Sequence, residues 1–335
     1  MYIRWSDQED INTYTPTATN TAGTQRIADG TRIVAAIRGR DAIYVWTDNA
    51  LFIMRFVGAP FVFSFQQVGT NCGLIGKNAA VEVDGAAYWM SENGFFRYQG
   101  KLESLACLVE DYVYDDINTV PKNHIYAGLN NLFGEVTWFY PGSGAASNNR
   151  SVTYNYMDSS NERQIWTTSS LARSTWSDSH IFGKPHGTEY DSSATSDSTV
   201  GNTDGVTTYF EHETGTNQIK TGSASAIAAN IQSGDFDLDQ RGLAGDGEYM
   251  MKIRRIIPDF LTQTGDARIT LNLKNYPTDS EASSSLGPFE TTTSTTKIDT
   301  RARARAIALK IDNTGTGQHW KLGTFRLDIQ PDGRR

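Results

Sequence analysis

The sequence predicts an all-β chain, with propeller-like blades of antiparallel hairpins, small or incomplete in number, followed by a strand-rich C-terminal portion. Three observations predict it. From Arg32 onward short β-rich runs alternate with Gly, Asn or Asp turns. Gly reaches 30 copies and the aromatics 11% against a modest 38% of hydrophobic residues, a mixture that suits pleated strands joined by tight turns. No long stretch carries Leu, Ala, Glu or Lys with the 3.6-residue repeat of a helix.

The first group of runs reads RIVAAI, AIYVWTD and ALFIMRFVG, with turns at Gly39–Asp41 and Asp48-Asn49. The second reads AAVEV, AAYWMSE and FFRYQG, with turns at Asp84-Gly85 and Asn93-Gly94. Asp-Gly and Asn-Gly between β-rich runs signal two-residue hairpins, because both turn residues must take positive φ. One short helix is expected from Leu108 to Ile117. A third group follows with HIYAGL, EVTWFY, SVTYNYM and RQIWTTS. Groups of three or four strands recurring about every forty residues are how propeller blades look in sequence. Between Gly187 and Gly205 the composition turns to Ser, Thr, Asp and Gly, and an exposed loop or connection is expected there. The chain is accordingly divided into a propeller-like domain over 1–220 and a long-stranded portion over 221–335. The latter holds five long runs that form a sheet of their own or close the propeller.

Thirty basic against 38 acidic residues leave a net charge of −8, which excludes a generic phosphate binder. Residues 301–335 hold eight Lys/Arg and three Asp/Glu, a net of +5, leaving −13 upstream. A basic end piece without interleaved aromatics points to protein docking or internal pairing before nucleic-acid reading. Cys72 and Cys107 sit in apolar settings and read as buried free thiols. The uncharged stretch from Val57 to Gly76 contains Pro60, Gln66, Gln67, Thr70 and Asn71, so no membrane span is expected. The N-terminus lacks the apolar core of a signal peptide, and assembly in the cytosol is the simplest expectation.

Catalytic and metal constellations are not expected. Gly76-Lys77 lacks the upstream Gly and the following Ser or Thr of a phosphate loop. Asp235, Asp237 and Asp239 alternate as in a calcium loop, but Gln240 stands where Gly is needed, and Phe236 and Leu238 between them suggest a strand with one acidic face. The histidines are scattered; His180/His186 and Glu211-His212-Glu213 are the only close groupings, and neither has helical spacing or a cysteine partner. No G-x-S-x-G elbow is present. More informative is the row Arg301, Arg303 and Arg305, which a strand would place on one face with Ala302, Ala304 and Ala306 on the other. Three parallel guanidinium groups need carboxylates or phosphates opposite them, either the Asp235, Asp237, Asp239 row or a neighbouring subunit.

The runs IRWSDQED, TNTAGT, YVWTDNAL, VGTNCGLIG, YWMSENGFFRYQG, EVTWFYP, RARARAIALKI and HWKLGTFRLDIQPDGRR, in this order over nearly the whole chain, resemble the tail nozzle, or packaged-DNA stabilisation, proteins of short-tailed bacteriophages. The resemblance implies a non-enzymatic virion protein based on a β-propeller. It implies a ring of six below the portal and its adaptor, among other tail proteins, with double-stranded DNA passing through the lumen unread. It implies no catalytic residues and no cofactor. Members of the family carry a long stretch ahead of the IRWSDQED-like segment, so a propeller short of blades is expected here, and Ala304 stands where Gly would be expected. The alternative is a glycan-binding or glycan-cleaving propeller, in which Trp138 and Trp166 would stack on sugars.

Overall fold

The computed structural model describes residues 1–160, 163–179, 182–191, 205–220, 222–238, 249–276, 278–279 and 284–333. Among them 54% are in strands and 3% in helix, in many small antiparallel sheets. Two compact units divide the chain between Glu213 and Thr214, compared with the boundary at 220 read from composition.

The first unit opens with a hairpin of β1 (Tyr2–Trp5) and β2 (Gly23–Arg26). Four sheets follow, each paired in chain order. The first contains β3 (Ile33–Arg38), β4 (Ile43–Thr47), β5 (Ala50–Gly58) and β6 (Val62–Thr70). The second contains β7 (Ala80–Val83), β8 (Ala86–Ser91), β9 (Gly94–Tyr98) and β10 (Leu102–Leu105). After the short helix α1 (Glu110–Asp116) come β11 (Tyr126–Asn130), β12 (Glu135–Tyr140), β13 (Arg150–Asn155) and β14 (Ile165–Ser169). The fourth sheet has three strands, β15 (Thr175–Ser177), β16 (His186–Asp191) and β17 (Val206–Glu211). The opening strands of successive sheets lie against one another, β3 on β7, β7 on β11 and β11 on β15, as the inner strands of propeller blades do.

Large aromatics hold neighbouring blades together. Trp46, Trp89 and Trp138 sit on the second strand of the first, second and third sheets, all wholly buried. Trp46 meets Trp89 edge-on at 5.4 Å between ring centroids, and Phe95 meets Trp138 at 4.9 Å. The Trp89 indole donates to the Cys72 carbonyl at 2.7 Å and that of Trp138 to the Ala79 carbonyl at 3.0 Å. Trp89 and Trp138 thereby cover apolar area and each satisfies its one donor on the chain that links two sheets, whereas the buried Trp46 indole finds no acceptor among the described residues. That link, Asn71 to Ala79, is itself pinned: Leu74 N–H donates to Thr47 O, and Ile75 N–H to Met90 O. Gly73 and Gly76 are needed for this approach. A Cβ on Gly73 would come within 2.2 Å of the Asp48 backbone, and one on Gly76 within 2.2 Å of the Lys122 carbonyl oxygen.

The hairpin turns divide in an instructive way. Asp84 and Gly85 both take positive φ, 52° and 81°, as the sequence predicts. At the second site only Gly94 does, at 119°, because the Ser91↔Gly94 pair closes the hairpin and Glu92-Asn93 form its loop. Within the 187–205 stretch, expected to be loop, Gly187–Asp191 continue β16. Its more buried side carries Gly187 and Glu189, so it lacks the hydrophobic alternation that would mark it in sequence.

The second unit begins with β18 (Asn217–Lys220) and β19 (Ser223–Ala226), followed by β20 (Asn230–Gln232) and β21 (Phe236–Asp237). Next come β22 (Met251–Ile257), β23 (Phe260–Thr264), β24 (Ala267–Lys274) and β25 (Ser285–Thr291). It ends with β26 (Ile298–Ala304), β27 (Ala306–Asp312), β28 (His319–Leu322) and β29 (Arg326–Pro331). One sheet runs β20-β27-β24-β25, with β21 beside β27; a second runs β26-β22-β29. Their inner faces share a core of Met251, Ile253 and Ile256 with Ile269, Leu271, Ala302, Ala304, Ile307 and Ile311. Every described sheet draws its strands from one unit.

Four of the five expected long strands are broken into shorter ones, and ARITLNLKNY stays whole as β24. Breaks fall at Pro258-Asp259, at Arg305 and at Gly323–Phe325. At each, the chain leaves one sheet to join another, which a strand of uninterrupted pleat cannot do. The run ASAIAANIQSGDFDLD yields only β19, β20 and β21 among its described residues, since Gly234 and the small Ala residues supply little to pack.

Candidate interaction surfaces

The Arg-rich strand shows the expected alternation. Along β26 the odd positions Asp299, Arg301 and Arg303 are exposed, and Thr300, Ala302 and Ala304 are buried. The row stops there. Arg305 sits between β26 and β27, half-buried, because the chain changes sheet at that residue. It is therefore not a third member of one strand face.

The outer face of β26-β22-β29 is cationic beyond the two arginines of β26. Lys252 stands directly opposite Arg303, and Arg255 opposite Asp299. A bulge between Ile253 and Arg255 puts Arg254 outward, and β29 adds Arg326 and, opposite Arg255, the exposed Asp328. Arg303 Nε donates to Asp332 Oδ2 at 2.6 Å, and Arg255 Nε to Asp299 Oδ1 at 2.7 Å. The Arg255 hydrogen bond, with help from Lys297, holds the Asp299 carboxyl below the usual range. Exposed pairs of the Arg303–Asp332 kind contribute only about 0.2–1 kcal/mol. Lys252, Arg254, Arg301 and Arg326 have no hydrogen-bond or ion-pair partner among the described residues.

Among the described residues the acidic row lies beside β24 and β27, in the other sheet of this unit. Asp235 pairs with Lys274 of β24 at 2.8 Å. Asp237 lies on β21 opposite Ala306, and Phe236 and Leu238 pack on the core. Asp239 lies outside the described residues.

A buried charge that the sequence did not point to lies between the third and fourth sheets. Arg173, 3% exposed, donates through Nε to His212 Nε2 at 2.8 Å, stands 3.5 Å from Glu189 and covers the Phe210 ring at 4.1 Å. Burial lowers the Arg173 pKa to about 10, with Glu189 opposing the shift. Burial, and then the Arg173 charge, lower that of His212 to about 4. The triplet Glu211-His212-Glu213 thus serves three separate contacts: Glu211 with Lys184, His212 with Arg173, and Glu213 with the Asn130 amide. His180 lies outside the described residues; His186 stacks on Tyr209.

Two clefts lie in the first unit. One of about 420 Å³ between the second and third sheets is lined by Arg97, Glu103, Ser159 and Gln164. One of about 260 Å³ along the inner strands is lined by Ile37, Lys77, Tyr126, Trp176 and Asp178. Neither pairs a nucleophile with a base. Among the described residues no three His, Cys, Asp or Glu side chains gather as metal ligands would, and no helix is long and apolar enough to cross a membrane. Cys72 is buried and Cys107 half-buried, both as free thiols. Trp138 is wholly buried and Trp166 half-buried with its indole donating to Ala106 O, so Trp138 offers no face to a sugar. No protein-family model and no curated protein matches the chain.

Proposed function

We propose that the chain is a structural subunit of the tail of a short-tailed bacteriophage, of the nozzle or packaged-DNA stabilisation kind, and not an enzyme. One observation supports the reading above others: four of the eight runs that carry the resemblance are the joints of the first unit. YVWTDNAL, YWMSENGFFRYQG and EVTWFYP hold the three wholly buried tryptophans, and VGTNCGLIG is the pinned link between two blades.

In this reading the subunit is assembled in the host cytoplasm and works in the virion, as a ring of six below the portal adaptor, retaining and then releasing double-stranded DNA. Six copies carry 48 net negative charges. A lumen lined with Lys and Arg would hold phosphates tightly and in a salt-dependent way. An acidic or neutral wall repels the backbone and centres the duplex, with its field screened beyond roughly 8–10 Å. Retention then comes from a constriction, and the basic strand β26 lies away from the channel. Electron microscopy and light scattering of the purified protein test this, with a cyclic assembly expected and a monomer at all concentrations overturning it. Duplex DNA should bind weakly at physiological salt. Tight binding lost on replacing Arg301 and Arg303 would replace repulsion by phosphate gripping.

A further inference from the structure

The cationic face of β26-β22-β29 is neutralised only in part by its own unit, through Asp299, Asp328 and Asp332. Lys252 and Arg303 are directly opposed across two strands, an arrangement of like charges that weakens a sheet. Arg254 is turned outward by a bulge beside Arg301, and neither has a carboxylate partner among the described residues. A bulge that aims an extra cation outward from an already cationic face suits a surface that meets an anionic partner.

The chain itself supplies such a partner. Residues 1–213 hold 14 Lys/Arg against 24 Asp/Glu, a net of −10, whereas residues 214–335 hold 16 against 14, a net of +2. Within the acidic unit, the surface around α1 is the most fitting counterpart. Asp111 and Asp115 are exposed without an ion-pair partner, and the helix has no basic residue in its last turn. Around them stand Leu108, 85% exposed, Tyr112, 56%, and Val120, 91%. Exposed apolar side chains framed by carboxylates are the composition of an interface with a cationic rim opposite.

We infer that the outer face of β26-β22-β29 docks on the α1 surface of a second copy of this chain. Because the two surfaces differ, each subunit offers one of each, and the contact is head-to-tail and closes into a ring where the rotation permits. The inference rests on the cyclic assembly proposed above and assigns its contact.

Two charge-reversed full-length variants test it by light scattering against concentration: Arg254→Glu with Arg301→Glu, and Asp111→Lys with Asp115→Lys. All four side chains are exposed, and circular dichroism checks that each variant folds. Each variant alone should need about tenfold or more protein to assemble than the unaltered chain. An equimolar mixture should regain assembly, since each reversed surface then meets an opposite one. Unaltered protein that forms rings, with both variants assembling equally well, overturns the docking contact and leaves the ring standing. Unaltered protein that stays monomeric overturns both. Rings unaffected by reversal, together with loss of duplex-DNA binding in the arginine variant, would assign the face to phosphates and likewise overturn the contact.

Discussion

At the scale of single residues, burial decides chemistry that composition leaves open. Desolvation pushes the Cys107 thiol up to about 12 and raises that of Cys72. Little thiolate exists at neutral pH, so both cysteines should resist alkylation at pH 8 in the native protein and react readily once unfolded. Fast native labelling of Cys107 would contradict the packing described. His212 gives a pH signature of definite sign. Its folded pKa, about 4, lies below the ordinary 6.5, so the unfolded chain binds the proton more readily. Its contribution is complete above pH 6.5 and is lost as pH falls toward 4. After allowance for its partial exposure, about 1 kcal/mol should be lost by pH 5. Urea denaturation at pH 7 and 5 should show that loss, and His212→Gln should remove it.

At the scale of elements, β26 carries two different demands on alternate residues. Ala302 and Ala304 are buried in the core that the two sheets share. Ala304→Leu should therefore destabilise the second unit by about 1–3 kcal/mol through overpacking. Arg301→Ala, on the opposite face, should stay within about 0.5 kcal/mol in the isolated subunit. Chemical denaturation of the two variants separates the faces, and equal losses would mean that the strand is not seated as described.

At the scale of the whole molecule, two separate cores predict two cooperative units. The first unit is organised around Trp46, Trp89 and Trp138, the second around Met251, Ile253 and Ile269. Calorimetry should give a calorimetric enthalpy exceeding the van't Hoff value, because the transitions are not one event. Ala304→Leu should then shift only the transition of the second unit. A single two-state transition, displaced as a whole by that substitution, would show the units to be thermodynamically one.

The sequence by itself determined the class of the chain and much of its first unit. Turn chemistry and two-residue alternation are local, so Asp48-Asn49, Asp84-Gly85 and the alternating burial of β26 were legible without a fold. A repeat is also present, with Trp recurring at positions 46, 89 and 138 on strands whose equivalence only the fold makes visible. Tertiary structure alone decided where long runs break, since Pro258, Arg305 and Gly323 end strands only because the next strand belongs to another sheet. It also decided which charges find partners. Arg173 reaches His212 across 39 residues, Asp235 takes Lys274, and Arg303 takes Asp332, leaving Lys252, Arg254, Arg301 and Arg326 on one open face. Pairings of that kind depend on which strands become neighbours, and strand neighbours far apart in sequence are chosen by the burial of their apolar faces, not by the charges they carry.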